Sequence, residues 1–121
     1  MITEENDIKI ADFGWAVHYK LKPERETICG TIQYLAPEIL NNEPYNHSID
    51  VWCLGIITYE LLYGRSPFDI NSKEKREDIF EKIKNVEYNF EERGISDAAK
   101  DFITKVDFMQ LKKIQKLNFS C

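Results

Sequence analysis

The stretch Asp12-Phe13-Gly14 places a carboxylate directly after a short apolar alternation, Ile8–Ile10. The alternation and its β-branched residues predict a short strand, and the glycine after the acid permits a sharp turn. A carboxylate in this place can be a turn residue or can carry chemistry through its negative charge. The tripeptide alone does not decide between the two, because acids that follow strands are often turn residues.

Two further carboxylates lie in motifs that come after a polar loop. Glu38 ends the stretch Ala36-Pro37-Glu38, which by itself predicts a helix that begins at the proline. Asp50 lies in a stretch that is apolar nearly all round, where an unpaired carboxylate would be costly. The three acids therefore follow one another in a fixed order: after a strand, at a helix start and inside an apolar helix.

The ordered set Asp12–Gly14, Ala36–Glu38 and Asp50–Trp52 resembles the C-terminal lobe of the eukaryotic protein kinases, whose signatures include DFG and APE. Within that family, the stretches DFGWAVH and RETICGT are similar to the Aurora serine/threonine kinases. The resemblance extends from about Ile2 to Val106. It implies a mainly α fold, namely a partial kinase C-terminal lobe with a short β strand or hairpin, an activation segment and then helices.

The resemblance implies a role in phosphoryl transfer for the first motif. Asp12 is implied to bind the magnesium ion of Mg²⁺-ATP, which makes ATP and Mg²⁺ the implied cofactors. Phe13 is implied to pack inward, and Gly14 to let the segment move between states. No residue is assigned as the catalytic base, because the sequence contains no glycine-rich loop, no VAIK-type lysine and no HRD loop. We therefore expect the chain to be inactive by itself.

The loop between the first two motifs is implied to hold regulatory and docking residues. Thr27 is implied to be the activation-loop phosphosite, although without the flanking motifs it would be one polar residue beside the charged stretch Lys20–Glu26. Gly30, Thr31 and Tyr34 are implied to belong to the substrate-docking loop. Within it, the threonine is implied to favour serine and threonine substrates over tyrosine.

Glu38 and Asp50 are implied to be structural residues. Asp50 is implied to anchor the backbone of the catalytic loop, and Glu38 is implied to pair with an arginine near the end of the domain. No arginine follows Arg93 in this sequence, so we expect Glu38 to be left without that partner. Such an unpaired, partly buried carboxylate costs about 1–3 kcal/mol or more.

Composition restricts the class of protein further. The 121 residues are enough for one domain, and 43% hydrophobic with 31% charged residues is an ordinary globular composition. The net charge of −5 argues against nucleic acid as the main partner, and no apolar run reaches membrane-spanning length. The cysteines lack metal-binding spacing and are expected to be free thiols in an intracellular protein: Cys29, Cys53 and Cys121.

Four secondary-structure elements follow the strand in the predicted order. They are a short helix from Pro37 to Asn41-Asn42, a helix capped by Ser48 that ends at Tyr63 and Gly64, a helix over Lys73–Lys84, and a helix over Asp97–Phe108 capped by Ser96. The second helix lacks a polar stripe and is predicted to be central and buried. Trp15, Trp52 and Phe102 are predicted to lie in the core.

The organisation implied by the resemblance is a partial kinase domain over residues 1–108 and a divergent tail over 109–121. Within the domain, 1–14 hold the strand and DFG, 15–38 the activation segment, and 39–108 the helical part. The implied function is Aurora-like phosphoryl transfer to serine and threonine of protein substrates, with Aurora-type activators and with spindle or chromosome association in the cytoplasm and nucleus. Two alternatives are a non-catalytic lobe that binds proteins and a partial gene model.

Overall fold

A computed structural model of the chain describes residues 2–18, 30–68, 75–91 and 94–106. These residues are mainly helical and contain no sheet, which confirms the predicted fold class. The helices are α1 (Pro37–Leu40), α2 (Ser48–Tyr63), α3 (Arg76–Lys84) and α4 (97–106), and a single 3₁₀ turn over Ile32–Tyr34 precedes α1.

The strand predicted near Ile8 is reduced to one antiparallel bridge between Ile2 and Ile8. The intervening turn is closed by three hydrogen bonds: the Thr3 N–H donates to the Asp7 carbonyl at 2.9 Å, the Asn6 N–H donates to the Thr3 carbonyl at 3.0 Å, and the Asp7 N–H donates to Thr3 Oγ1 at 3.1 Å. Asn6 takes a left-handed φ of 64°, which asparagine tolerates better than most residues. In the described ranges the predicted strand therefore forms only a tight turn with one bridge.

The start of α1 and the end of α2 lie where the sequence predicts them, each set by one residue. Pro37 occupies the first turn of α1, where its fixed φ suits the helix and its missing N–H leaves no donor unpaired. Gly64 ends α2 with a left-handed φ of 75°, and its N–H donates to the Glu60 carbonyl at 2.8 Å. The glycine has no Cβ to clash in that conformation, so the helix stops there.

The start of α2 differs from the prediction by one residue. His47 is the N-cap and Ser48 is the first helical residue. Asn46 Oδ1 accepts the Ser48 N–H at 2.9 Å, so an asparagine side chain is the acceptor for the first amide of the helix. The hydroxyl of Ser48 is consequently used elsewhere.

The later helices match their predictions in type and nearly in extent. Helix α3 begins at Arg76 after the N-cap Lys75, and the predicted start at 73–74 lies outside the described residues. Ser96 Oγ accepts the N–H of Ala99 at 3.3 Å, which confirms the predicted cap of α4.

The core forms against one side of α2. Trp52 is fully buried and its ring stacks on Phe68 at a centroid distance of 5.9 Å. Ile56 of α2 belongs to the same cluster, which also includes Ile39 of α1 and Ile79 and Ile83 of α3. A second cluster joins the end of α2 to α4, through Tyr59, Tyr63 and Ile103.

The opposite side of α2 is exposed, so the prediction of a helix buried all round is wrong for the described residues. Leu54, Ile57 and Leu61 are 50%, 42% and 81% exposed, and we call these three residues the open face of α2. The predicted core positions Phe102 and Trp15 are also exposed, at 43% and 72%. Apolar character predicted burial at each position, but none of the described elements covers these side chains.

Candidate functional site

The Asp12-Phe13-Gly14 turn presents an exposed carboxylate on an unusual backbone. Asp12 has a left-handed φ of 64°, a conformation that costs most non-glycine residues about 1–3 kcal/mol but that aspartate tolerates. The Gly14 N–H points at Asp12 Oδ1 at 3.4 Å, and the Ala16 N–H donates to the Phe13 carbonyl at 3.0 Å. The sequence located the backbone freedom at Gly14, whereas the left-handed residue is Asp12.

The ring of Phe13 does not pack inward in this structure. Its side chain is 68% exposed, and the expectation from the resemblance is wrong for the described residues. An aromatic ring is buried only where other elements enclose it. The role of Phe13 as a marker of conformational state stays a prediction.

Asp12 meets the minimal chemical requirement of a magnesium ligand. Mg²⁺ in ATP sites prefers hard oxygen ligands and takes one or two carboxylates together with substrate phosphates. Asp12 offers such an oxygen at the surface. No group of three or more His, Cys, Asp or Glu suited to a metal ion occurs in the described part of the chain. A single exposed carboxylate can supply one of the ligands of such an ion.

Residues 30–36, the described part of the loop expected to dock substrates and called the docking loop below, begin at a glycine and end at α1. Gly30 has a φ of 116°, which strains any residue with a Cβ. Thr31 precedes the 3₁₀ turn, and its carbonyl accepts the Tyr34 N–H at 3.0 Å. The Leu35 N–H donates to the Ile32 carbonyl at 3.0 Å. These bonds give the loop a defined shape, with Thr31 exposed beside the turn.

Tyr34 ties the docking loop to α2 in two places. Its hydroxyl donates to Glu60 Oε2, and its carbonyl accepts a hydrogen bond from Cys53 Sγ at 3.5 Å. Burial, followed by the charge of Asp50, raises the pKa of Cys53 from 9.0 to about 11, so the thiol keeps the proton it donates. The sequence analysis assigned no role to Glu60, which interrupts the apolar stretch Val51–Tyr63. A lone acid in such a run was the available signal that this position bonds another element.

We expect Tyr34 to titrate near pH 12 instead of its ordinary pKa of 10.0, chiefly because the hydrogen bond to Glu60 favours the protonated phenol. The contribution of this phenol to stability is complete below pH 10 and is lost as pH rises to 12, since the unfolded chain releases the proton first. Carbon-13 NMR of ring-labelled tyrosines measures the pKa, with Tyr34→Phe assigning the signal. Glu60→Gln should return the pKa towards 10; an unchanged value there would contradict the assigned cause.

Glu38 is buried and has a partner that the sequence did not reveal. The residue is 3% exposed, and its Oε1 accepts a hydrogen bond from Ser48 Oγ at 3.2 Å. Its Oε2 is buried without a hydrogen-bond partner among the described residues. Of the described arginines, Arg65 pairs with Glu91 and Arg76 lies over the ring of Phe80. The expectation of a wholly unpartnered carboxylate is therefore corrected to a half-satisfied one.

Asp50 is exposed in the first turn of α2, so the premise that it is a buried carboxylate is wrong here. It lies four residues before Leu54 and therefore on the same side of the helix as the open face. An acid in the first turn is favoured by the helix dipole, which accounts for its presence without any buried partner. Its role as an anchor for the catalytic loop stays a prediction.

The structure brings part of the predicted site together. The docking loop, Tyr34, Glu38 and the buried side of α2 form one contiguous unit through the contacts described above. Thr27 and Cys29 lie outside the described residues, as does the charged stretch Lys20–Glu26. In the described ranges no helix is long and apolar enough to cross a membrane.

Comparison with known proteins gives a consistent family match. Residues 1–114 match the family model for the protein kinase domain. The chain is 46% identical over 106 residues to an Aurora kinase of Encephalitozoon cuniculi, covering 88% of this chain and 38% of that protein. It is 38% identical over 100 residues to Aurora kinase C of Mus musculus, covering 83% and 34%. A probable myosin light chain kinase of Dictyostelium discoideum is 43% identical over 106 residues, covering 85% and 26%. The chain thus spans 38% or less of the length of these relatives.

Proposed function

Because this chain belongs to the protein kinase family, we propose that it contributes the magnesium ligand and the docking loop of an Aurora-like, ATP-dependent serine/threonine kinase. The single observation that carries the proposal is the match of residues 1–114 to the protein kinase domain, with several Aurora kinases among its relatives. The exposed carboxylate of Asp12 and the anchored docking loop support it. Protein substrates and activators of the Aurora type are the partners that go with this function.

Phosphoryl transfer depends on placing the substrate and on neutralising phosphate charge. Magnesium, when bound, supplies charge neutralisation between the phosphates. Asp12 would bind that ion through an exposed carboxylate oxygen, and Gly14 gives the backbone beside it conformational freedom. Thr31 stands at the exposed start of the docking loop, where it selects serine and threonine hydroxyls. Tyr34 keeps that loop in register with α2 through Glu60 and Cys53.

We further propose that the 121-residue chain is inactive by itself. Its sequence contains no glycine-rich loop, no VAIK-type lysine and no HRD base. These groups supply most of the positioning and electrostatic stabilisation in the reaction. On this proposal, residues 1–108 are the kinase part, and 109–121 form a tail outside it.

A chimaera tests the proposed function. The N-terminal lobe and catalytic loop of the Encephalitozoon cuniculi Aurora kinase are joined to this chain just before Ile2, and the fusion is assayed with Mg²⁺-ATP and basic peptides that carry serine, threonine or tyrosine. Turnover on the serine and threonine peptides is the expected result. A folded chimaera without turnover would favour the second candidate, a non-catalytic lobe that binds proteins. The sequence of this chain, which contains no HRD base or VAIK-type lysine, is compatible with that candidate.

Phosphorylation of Thr27 is expected to control turnover in that chimaera. A phosphate adds close to two negative charges and offers oxygens for charge-assisted bonds, most directly to Arg25 and to a catalytic-loop arginine. Thr27→Ala should lower turnover by at least about tenfold, because the variant cannot form the one or two charge-assisted bonds that the phosphate makes. Peptide turnover and amide exchange of residues 30–36 are measured together after incubation with ATP.

The matched control for this prediction is Thr104→Ala. Thr104 is exposed on α4, and its hydroxyl bonds only within that helix, to the Lys100 carbonyl at 2.9 Å. Its replacement should leave turnover and loop exchange unchanged. If Thr27→Ala behaves like this control, Thr27 is an ordinary loop residue and the switch lies elsewhere.

A further inference from the structure

A hydroxyl group at the start of α2 supports the docking loop through a buried carboxylate. Ser48 Oγ donates to Glu38 Oε1 at 3.2 Å, and Glu38 is 3% exposed. We propose that Ser48 is a positioning residue, which holds the carboxyl end of the docking loop on α2 by satisfying Glu38. The functional meaning of this support rests on the proposed function, since a docking loop matters only where a substrate binds.

The burial of Glu38 makes this single donor important. A buried carboxylate that loses its hydrogen bond keeps its full desolvation cost, and bonds to charged groups are stronger than neutral ones. Oε2 already lacks a partner among the described residues. Without Ser48, neither oxygen of Glu38 would have a donor in this part of the chain.

The hydroxyl is available because the usual task of a serine at this point is performed by another residue. Serine at a helix start commonly caps the first free amides. Here Asn46 Oδ1 accepts the Ser48 N–H at 2.9 Å, and Ser48 itself is inside the helix. Its hydroxyl can therefore bind Glu38, ten residues earlier in the sequence.

The contact completes a three-point attachment of the loop along one helix. Glu60 and Cys53 hold Tyr34, while Ser48 holds Glu38. The outer two of these α2 residues are twelve positions apart, about 18 Å along the axis at 1.5 Å per residue. Tyr34 near the carboxyl end of the loop and Glu38 in the first turn of α1 are thus held by separate contacts. Loss of Ser48 should loosen the Glu38 end first.

Amide hydrogen exchange on the 121-residue chain tests the proposal without any need for turnover. Ser48→Ala should speed exchange of the Leu35 and Ile39 amides by about tenfold relative to the Ile56 amide inside α2. The matched control is Ser66→Ala, which removes the hydroxyl of a buried serine whose oxygen accepts the Phe68 N–H at 3.3 Å. The control should leave the ratio of loop to helix exchange unchanged. An equal change of that ratio in both variants overturns the proposal.

A double-mutant cycle and a rescue variant separate a specific contact from general loosening. In a Glu38→Gln background the added effect of Ser48→Ala should be at least threefold smaller, because a neutral acceptor binds the hydroxyl less strongly. Ser48→Thr, which keeps the hydroxyl, should restore most of the protection. An undiminished effect in the Glu38→Gln background refutes the role of Ser48. Such a failure leaves the proposed function intact, whereas an inactive chimaera leaves the exchange result intact.

Discussion

In the chimaera described above, Asp12→Asn should lower kcat/KM for a peptide substrate by at least about a hundredfold. Removal of one preorganised electrostatic group from a reaction centre typically costs a factor of about 100 to 1,000, and a metal ion stabilises the transition state by several kcal/mol. The amide keeps the size of the side chain and can still occupy the left-handed backbone position of Asp12. The loss should therefore reflect the metal-binding charge and not the fold.

The control for this prediction is Asp7→Asn. Asp7 is an exposed acid in the neighbouring turn, where its backbone N–H and carbonyl bond Thr3. Its replacement removes the same charge from the same segment and should leave turnover unchanged. Titration with Mg²⁺ adds a second readout, because Asp12→Asn should raise the concentration needed for half-maximal rate. Equal turnover of the Asp12→Asn variant and the parent would remove Asp12 from the metal site.

The 121-residue chain by itself should self-associate through the open face of α2. Leu54, Ile57 and Leu61 expose three large apolar side chains on one helix face, and burial of each such side chain contributes about 1.5–3 kcal/mol. Contiguous exposed patches of this kind mark interaction sites or aggregation. Sedimentation velocity should show species heavier than the 14.3 kDa monomer, with binding of a hydrophobic dye.

Substitution within the open face tests the cause. Ile57→Gln with Leu61→Gln should shift the chain towards the monomer and reduce dye binding. Ile8→Gln, at a position that is 85% exposed but lies on the first hairpin, is the control and should leave the distribution unchanged. A monomeric parent chain with a cooperative thermal transition and no dye binding contradicts the prediction.

Local sequence signals predicted the elements well because their causes are local. Pro37 begins α1, Gly64 ends α2 and Ser96 caps α4, each through contacts within about four residues. The order of the Asp12, Glu38 and Asp50 motifs was sufficient for the family, which the match over residues 1–114 confirms. Neither conclusion requires knowledge of which elements touch.

Exposure was predicted less well, because it depends on what covers a side chain. Trp15 and Phe102 were expected to be buried from their apolar character and Phe13 from the family resemblance, and each is exposed in the described structure. Asp50 was expected to be a buried anchor and lies at the surface. Hydrophobicity determines how much free energy a side chain would gain by burial. Whether the side chain is buried depends on the packing of other elements over it.

The sequence by itself determined the family, the helices with the start at Pro37, the end at Gly64 and the cap at Ser96, and the order of the motifs that carry Asp12 and Glu38. The tertiary structure alone decided how that loop is held. Tyr34 meets Glu60 across 26 residues, and Glu38 meets Ser48 across 10. The sequence does not show which residue each of these groups meets, because a hydrogen bond depends on the two groups being brought within about 3 Å of each other by the packing of the elements. The packing of α1 and the loop against α2 brings them there.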